Sequence, residues 1–171
     1  MRRIVTLACC ATAAGFLAGC SSSQTLVNHP SGSSSVAHVG DTLDLHTANG
    51  RPFSATLTKV TDPAQGKGQT PKSGKRFVTT AFDIHNTSQD TLHADLNADV
   101  TVSGTNGHLY TVSSVANSAC GGLTTGQFQV PVGKSASVCT GFELKDAVHV
   151  TKVQLSPAAG TASDYGEWLN P

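Results

Sequence analysis

The chain has 171 residues, with 11 basic and 11 acidic side chains and 38% hydrophobic residues. This length is sufficient for one domain with a real hydrophobic core, and the neutral balance excludes the basic stripe that nucleic-acid recognition needs. Only 5% of the residues are aromatic, so a large aromatic-lined substrate cleft is not expected.

The first 19 residues have the pattern of a signal peptide. Arg2 and Arg3 give a positively charged start, and an apolar run follows over residues 4–17. As a helix this run would be about 21 Å long, which is too short to cross a hydrocarbon core of about 30 Å. Its length is typical of the apolar region of an export signal.

The apolar run ends in Leu17-Ala18-Gly19-Cys20, which resembles the lipobox of bacterial lipoproteins. Small residues before the cut let the backbone enter a peptidase cleft, and the Cys20 thiol then lies at the membrane surface, where it can take a diacylglyceryl group. The sequence therefore predicts that residues 1–19 are removed and that Cys20 is lipidated. The chain would be anchored on the extracytoplasmic face of a bacterial cell membrane. The alternative is an ordinary signal peptide with an incidental cysteine.

Residues 20–38 are rich in serine and show no hydrophobic period, so we expect a flexible tether. A flexible chain of this length has a root-mean-square span of roughly 23 Å, which would hold a domain just clear of the lipid headgroups. The domain itself is predicted over residues 39–171.

From Val39 onward the sequence alternates with period two between turn residues, which predicts strands. Asn49-Gly50 and Asn106-Gly107 are typical of hairpin turns, Val60 breaks the alternation and indicates a bulge, and Asp62–Gly74 is expected to be a long loop. No long stretch has a helical period. The seven predicted strands are Thr42–Thr47, Phe53–Thr61, Phe77–Asn86, Ala98–Gly104, His108–Ser113, Ser135–Lys145 and Val148–Leu155.

Three segments carry a resemblance to a known family: "VGDTLDL", "KRFVTTAFDIHNTS" and "VPVGKSASVCTGFEL", in that order. They resemble a widespread bacterial family of immunoglobulin-like domains of unknown function, found on exported lipoproteins and secreted antigens of Gram-positive bacteria. The resemblance covers Val39–Leu155. It implies an all-β fold, an immunoglobulin-like antiparallel β-sandwich of about seven strands, and it identifies no active site.

The mature chain would hold three cysteines, and once lipidated Cys20 is set aside, Cys120 and Cys139 remain. An even pair in an oxidising compartment predicts a disulfide. A metal or redox site is the alternative, but the sequence has no C-x-x-C and lacks the tight ligand spacing that zinc needs.

No motif nominates a catalytic residue, a cofactor or a metal ligand. The seven histidines never pair as H-x-H or H-x-x-x-H, and His46 and His85 are predicted to be surface residues. Their convergence from distant positions is left open. Residues 95–99 open like a calcium loop, D-x-N-x-D, but Val100 and Asn106 stand where that loop needs glycine and glutamate. The stretch "GKGQTPKSGKR" does not have the spacing of a phosphate-binding loop, and its Lys67, Lys72, Lys75 and Arg76 are interpreted as a solvated loop.

Two loops and the C-terminal tail remain as interaction candidates. Lys67 and Lys72 lie in the long loop, and Ser114–Gln127 would be braced by the disulfide. Tyr165 and Trp168 either pack over a sandwich edge or serve as exposed anchors, since these residue types dominate binding hot spots. We expect a non-enzymatic binding module for an unknown protein or envelope component. The alternative is a small-ligand or metal-binding carrier lipoprotein.

Overall fold

The computed structural model describes residues 26–27, 37–157 and 165–170. The predicted signal peptide, Cys20 and most of the predicted tether lie outside these residues. The strands are β1 (Leu26–Val27), β2 (Ala37–His38), β3 (Thr42–His46), β4 (Pro52–Ala64), β5 (Lys75–Asn86), β6 (Leu92–Asp95), β7 (Val100–Gly104), β8 (Leu109–Thr111), β9 (Gln127–Val130), β10 (Ser135–Lys145), β11 (Val150–Leu155) and β12 (Gly166–Leu169). A helical turn, α1 (Leu96–Asp99), and a 3₁₀ helix (Ala116–Cys120) complete the fold.

The strands form two five-stranded sheets and one two-stranded sheet. Sheet A has the order β1-β3-β4-β5-β10, sheet B has the order β2-β12-β11-β7-β8, and sheet C is β6-β9. All pairs are antiparallel except β1–β3 and β2–β12, which are parallel. Within the described residues, no helix is long and apolar enough to cross a membrane.

Sheets A and B pack face to face, and alternation along the strands supplies the core between them. The rings of Phe82 on β5 and Trp168 on β12 meet edge to face, with centroids 5.6 Å apart. The all-β, immunoglobulin-like sandwich is confirmed. The strand count is higher than the predicted seven, because β1, β2, β6, β9 and β12 are two to four residues long. Such segments are too short to show a period in the sequence.

β5 is the central strand that the alternation predicts. Val78, Thr80, Phe82 and Ile84 share its core-facing side, and each is at most 1% exposed. Its first half is also buried on the opposite face, where Phe77 packs with residues of β4 and of the 3₁₀ helix. The strand is therefore covered on both faces over the half that is nearest to the β4–β5 loop.

β4 contains the predicted bulge and is longer than predicted. Its pairing with β5 shifts register between Leu57 and Lys59, and again between Thr61 and Ala64. An extra residue in one strand reverses which residues of that strand face the core. Val60 is therefore out of phase with Phe53, Ala55 and Leu57. The strand continues to Ala64, so the loop that follows covers only residues 65–74.

The segment before β7 is helical, although the sequence predicted a strand from Ala98. Asp95 caps α1, because its Oδ1 accepts the Asn97 backbone N–H at 3.0 Å. Asp99, the last residue of α1, stabilises the same turn, because its Oδ2 accepts a hydrogen bond from the backbone N–H of Asp95 at 3.3 Å. Asp and Asn favour such local hydrogen bonds, so the D-x-N-x-D pattern serves a helix cap here.

Asn86, at the end of β5, joins two of the segments that carry the family resemblance. Its Nδ2 donates to the carbonyls of Asp90 at 2.7 Å and Val130 at 2.8 Å. Its Oδ1 accepts both the backbone N–H and the hydroxyl of Ser88. Its backbone also bonds with the turn before β10, to Lys134 and Gly133. The "HNTS" and "VPVGK" segments thus meet at one corner, where the buried amide of Asn86 has a partner for each of its hydrogen-bonding positions.

The ends of the domain meet in sheet B. Ala37 and His38 pair with Trp168 and Leu169, so the sheet begins two residues before the predicted domain start at Val39. Ala37 is only 1% exposed. The first strand of sheet B therefore belongs to the core and not to a tether.

Candidate functional site

The predicted lysines lie on the 65–74 loop, at the end of the sandwich where β4 passes into β5. The loop backbone is held at two points: Lys67 N–H donates to the Ser118 carbonyl at 3.1 Å, and Lys72 N–H donates to Glu143 Oε1 at 2.8 Å. The side chains of Lys67 and Lys72 are exposed. The loop is thus fixed while its two amines face solvent. We call this surface the basic end.

The inner side of the same loop packs on the second predicted loop. Ala64, Phe77 and Ala116 form a small apolar cluster beneath it. A Cβ added at Gly66 would lie 2.7 Å from the Phe77 ring, so only glycine lets the backbone approach this closely. The structure therefore brings together the two loops that the sequence nominated.

Cys120 and Cys139 form the predicted disulfide, with Cα atoms 5.7 Å apart. The bond holds the 3₁₀ helix beside the free edge of β10. Three hydrogen bonds at 2.7 to 2.9 Å also connect residues 113–124 to this edge, and together they cover it. They run from Ser113 N–H to Gly141 O, from Cys139 N–H to Thr124 O, and from Gly141 N–H to Asn117 Oδ1. Covering an edge strand prevents it from pairing with another chain.

Arg76 does not belong to a solvated basic loop, so the interpretation of "KSGKR" as wholly solvated is wrong for this residue. Its side chain is 14% exposed. The guanidinium holds Asp62 through two hydrogen bonds and donates to the carbonyls of Lys145 and Val148, each at 2.6 Å. The hydrogen bonds to Asp62 raise the pKa of Arg76 above its ordinary value. Arg76 therefore ties β4 and β5 to the β10–β11 turn.

Glu143 anchors the lysine loop through its carboxylate. The Lys72 backbone N–H, and then the Lys75 ammonium at 3.2 Å, lower the pKa of Glu143. The carboxylate therefore stays charged at neutral pH, and its charge is shared with Lys75. Because Lys75 and Arg76 are engaged in this way, Lys67 and Lys72 carry the free positive charge of the 65–74 loop.

Of the two candidate anchors near the C-terminus, Tyr165 and Trp168, only Tyr165 is exposed. Trp168 is fully buried and its indole N–H donates to the Asp41 carbonyl at 2.9 Å, so the hypothesis that it is an exposed anchor is wrong. Alternation along β12 turns it inward between the sheets, which confirms the alternative of a packed tail. Tyr165 is 36% exposed. It precedes β12 beside the Leu155 end of β11, at the opposite end of the sandwich from Lys67 and Lys72.

A cavity that the sequence did not predict lies at this opposite end. Its volume is about 340 Å³. The walls come from the β3–β4 turn, from the two main sheets and from sheet C, and its apolar lining includes Phe53, Ile84, Leu92, Leu96, Phe128 and Leu155. Leu92 and Phe128 lie on β6 and β9, which are not among the seven predicted strands. The only sequence signal for these strands is one alternating pair in each, Leu92 with Ala94 and Phe128 with Val130, which is too short to establish a period.

Six of the seven histidines, all except His29, lie within the described residues. His46 and His85 are exposed, as predicted. Within residues 37–157 and 165–170, no three histidine, cysteine, aspartate or glutamate side chains are grouped so that they could hold a metal ion. Asp95 and Asp99 use their carboxylates in the cap of α1.

Comparisons with known proteins support the fold. No family model matches the chain, and no curated protein matches it. Among solved structures, the secreted protein MPT63 of Mycobacterium tuberculosis aligns with a TM-score of 0.55 at 11% identity, over 87% of this chain and all of its own. The yjhA protein of Bacillus subtilis aligns at 0.51 and 14% identity, over 71% of this chain and 82% of its own.

A third structure is a predicted lipoprotein, ycdA, also of Bacillus subtilis. It aligns with a TM-score of 0.52 at 11% identity, over 73% of this chain but only 37% of its own. This chain is thus similar to a part of that protein. At these identities the likenesses show a shared fold.

Proposed function

We propose that the protein is a lipid-anchored binding module on the extracytoplasmic face of a bacterial cell membrane, and that it catalyses no reaction. Cys20 in its lipobox-like context supports the anchor, and the disulfide is typical of chains that fold in an oxidising compartment. Two structural neighbours described as a secreted protein and a predicted lipoprotein fit this location.

One observation carries the binding function: the basic end is rigid in its backbone, and within the described residues the ammonium groups of Lys67 and Lys72 form no hydrogen bond or ion pair. Ordering a loop on binding costs conformational entropy, and here the hydrogen bonds of Lys67 and Lys72, the Phe77 contact and the disulfide have already ordered it. Exposed amines on a fixed frame favour an anionic partner, because complementary charge steers association. We infer that the partner is an acidic protein or an anionic envelope component.

The experiment is charge reversal at the basic end in living cells. The variant Lys67→Glu/Lys72→Glu should reduce the yield of surface crosslinking to the main partner, quantified by mass spectrometry, at least fivefold. Thermal unfolding should change little, because exposed, unpaired side chains contribute little to stability. The matched control is Lys59→Glu/Lys134→Glu, which makes the same charge change at two other exposed lysines. An equal loss in both variants would contradict the proposal.

The cavity favours a second candidate function, that of a carrier for a small ligand. Ligand sites in proteins are concave and mostly apolar with a few polar groups, and the cavity at the Tyr165 end has this composition. The two candidates use opposite ends of the sandwich, so one result does not decide the other.

A further inference from the structure

The cavity continues the hydrophobic core to the surface. Its wall residues are almost fully buried: Ile84 and Leu96 are 1% exposed, Leu92 is 2%, Leu155 is 4% and Phe53 is 5%. Protein interiors are normally packed to the density of organic crystals. A space of about 340 Å³ between such walls is large enough for the apolar part of a small molecule.

The polar side chains at the cavity comprise two carboxylates and the side chains of Thr47, Asn49 and His93. Asp95 and Asp99 both line it, and no lysine or arginine is among the lining residues. The nearby Arg51 side chain is engaged elsewhere, with the Asp90 carboxylate at 3.4 Å and the Thr91 carbonyl. The cavity therefore offers carboxylate charge to a ligand and no lysine or arginine charge of its own.

The Asp95 carboxylate keeps acceptor capacity. Its Oδ1 accepts one hydrogen bond, from Asn97 N–H, while a carboxylate can accept about four. Sheet C places this side chain between the apolar cavity and a polar surface hollow lined by His93, Gln127 and Gln129. A ligand whose body fills the cavity would thus bring its head group to Asp95.

We propose that this cavity binds a small amphiphilic amine, with a chain or ring body against Phe53 and Phe128 and a protonated amine at Asp95. Coulomb attraction strengthens as water is excluded, so a cationic head beside Asp95 is favoured over a neutral one, and an anionic head is repelled. This inference rests on the second candidate function, and it is independent of the basic end.

Three probes with the same tail test the ligand class: n-octylamine, 1-octanol and octanoate at pH 7. The protein used is residues 20–171 with Cys20→Ser, folded with its disulfide formed, so that neither an attached lipid nor the signal peptide competes. Binding is followed by NMR shifts of Leu92 and Phe128. We expect these residues to shift with octylamine, at a Kd at least tenfold below that of octanoate. The variant Ala48→Trp, which fills the exposed turn at the cavity mouth, should abolish binding of every probe.

Asp95→Asn separates charge from shape. Asparagine is an equally good helix cap, so the Asn97 hydrogen bond is kept while the charge is lost. Octylamine should then bind at least fivefold more weakly, and 1-octanol within twofold of its original affinity. Asp44→Asn, a charge-matched change on β3 away from the cavity, should alter neither.

The outcomes are decisive in each direction. If no probe shifts the lining residues, the site is overturned. If octanoate binds as tightly as octylamine, or if Asp95→Asn weakens 1-octanol and octylamine equally, the amine assignment is overturned. Because Lys67 and Lys72 play no part in these measurements, failure here leaves the crosslinking result at the basic end untouched.

Discussion

At the residue scale, Asn86 shows why a short polar motif can be structural. All four hydrogen-bonding positions of its amide are used inside the protein, on Ser88, Asp90 and Val130. Each buried polar group that loses its partner costs about 1–3 kcal/mol. The residue therefore holds the β5–β6 turn against the strand that precedes β10.

We predict that Asn86→Asp destabilises the domain by about 3 kcal/mol. The change keeps the shape but replaces two amide donors with a carboxylate oxygen facing the carbonyls of Asp90 and Val130, leaving buried acceptors opposed. Urea unfolding followed by circular dichroism measures the loss. Gln89→Glu, three residues along on an exposed position, adds the same charge and should change stability by less than about 0.5 kcal/mol.

The residues of the candidate sites were predictable to different degrees. The exposed positions of Lys67 and Lys72 followed from the polar composition of their loop. The disulfide followed from the even number of cysteines that remain once Cys20 is set aside. Burial of Trp168 did not follow, because a lone aromatic residue near a terminus packs or protrudes according to the partner strand, and Ala37 lies far away in sequence.

At the element scale, β10 depends on a segment that is not a strand. Its register with β5 is continuous over eleven residues, Ser135 to Lys145, and its other edge is closed by residues 113–124. The disulfide fixes that closure. The sequence predicted the strand and the bond, but not that the bond covers an edge, because cover depends on where the 3₁₀ helix lies.

Breaking the disulfide should open this edge selectively. In Cys120→Ala/Cys139→Ala, we expect the amides of residues 139 and 141 to exchange with solvent at least tenfold faster, since they bond to Thr124 and Asn117. The backbone N–H groups of Val138 and Thr140 point to β5, because successive N–H groups of a strand alternate in direction. They serve as internal controls, and their exchange rates should change only as far as global stability changes. Global unfolding should be easier by about 3 kcal/mol, the model value for a loop of this length. Uniform acceleration across β10 would contradict a local cover.

At the scale of the whole molecule, the sandwich has two distinct ends. The basic end gathers the β4–β5 loop, the 3₁₀ helix and the disulfide, while the opposite end holds the cavity and Tyr165. The class of fold could be predicted because long strands show their period. The cavity could not be predicted, because two of the strands that line it, β6 and β9, are only four residues long. They also pair with each other across a long separation in sequence.

The proposed lipidation of Cys20 would determine where the whole molecule resides. We predict that Cys20→Ala releases the chain into the medium or leaves it uncut, since the thiol needed for lipid attachment is gone. Fractionation of cells with immunoblotting, and intact mass of the mature protein, measure this. Cys120→Ala/Cys139→Ala should remain membrane-bound and thereby serves as the control for loss of cysteine alone. A processed, membrane-bound Cys20→Ala protein would refute the anchor.

The burial of Trp168 has a consequence for the timing of folding during export. The ring lies between the sheets against Phe82, and its strand pairs with Ala37–His38, the first strand of sheet B in chain order. The core therefore cannot close until β12 is available to the rest of the sandwich, because domains fold as cooperative units. A chain that is threaded through a translocation pore in extended form stays unfolded until its C-terminus has emerged. If the chain is exported as we propose, the position of one tryptophan would keep it unfolded, and so competent for secretion, until β12 has crossed the membrane.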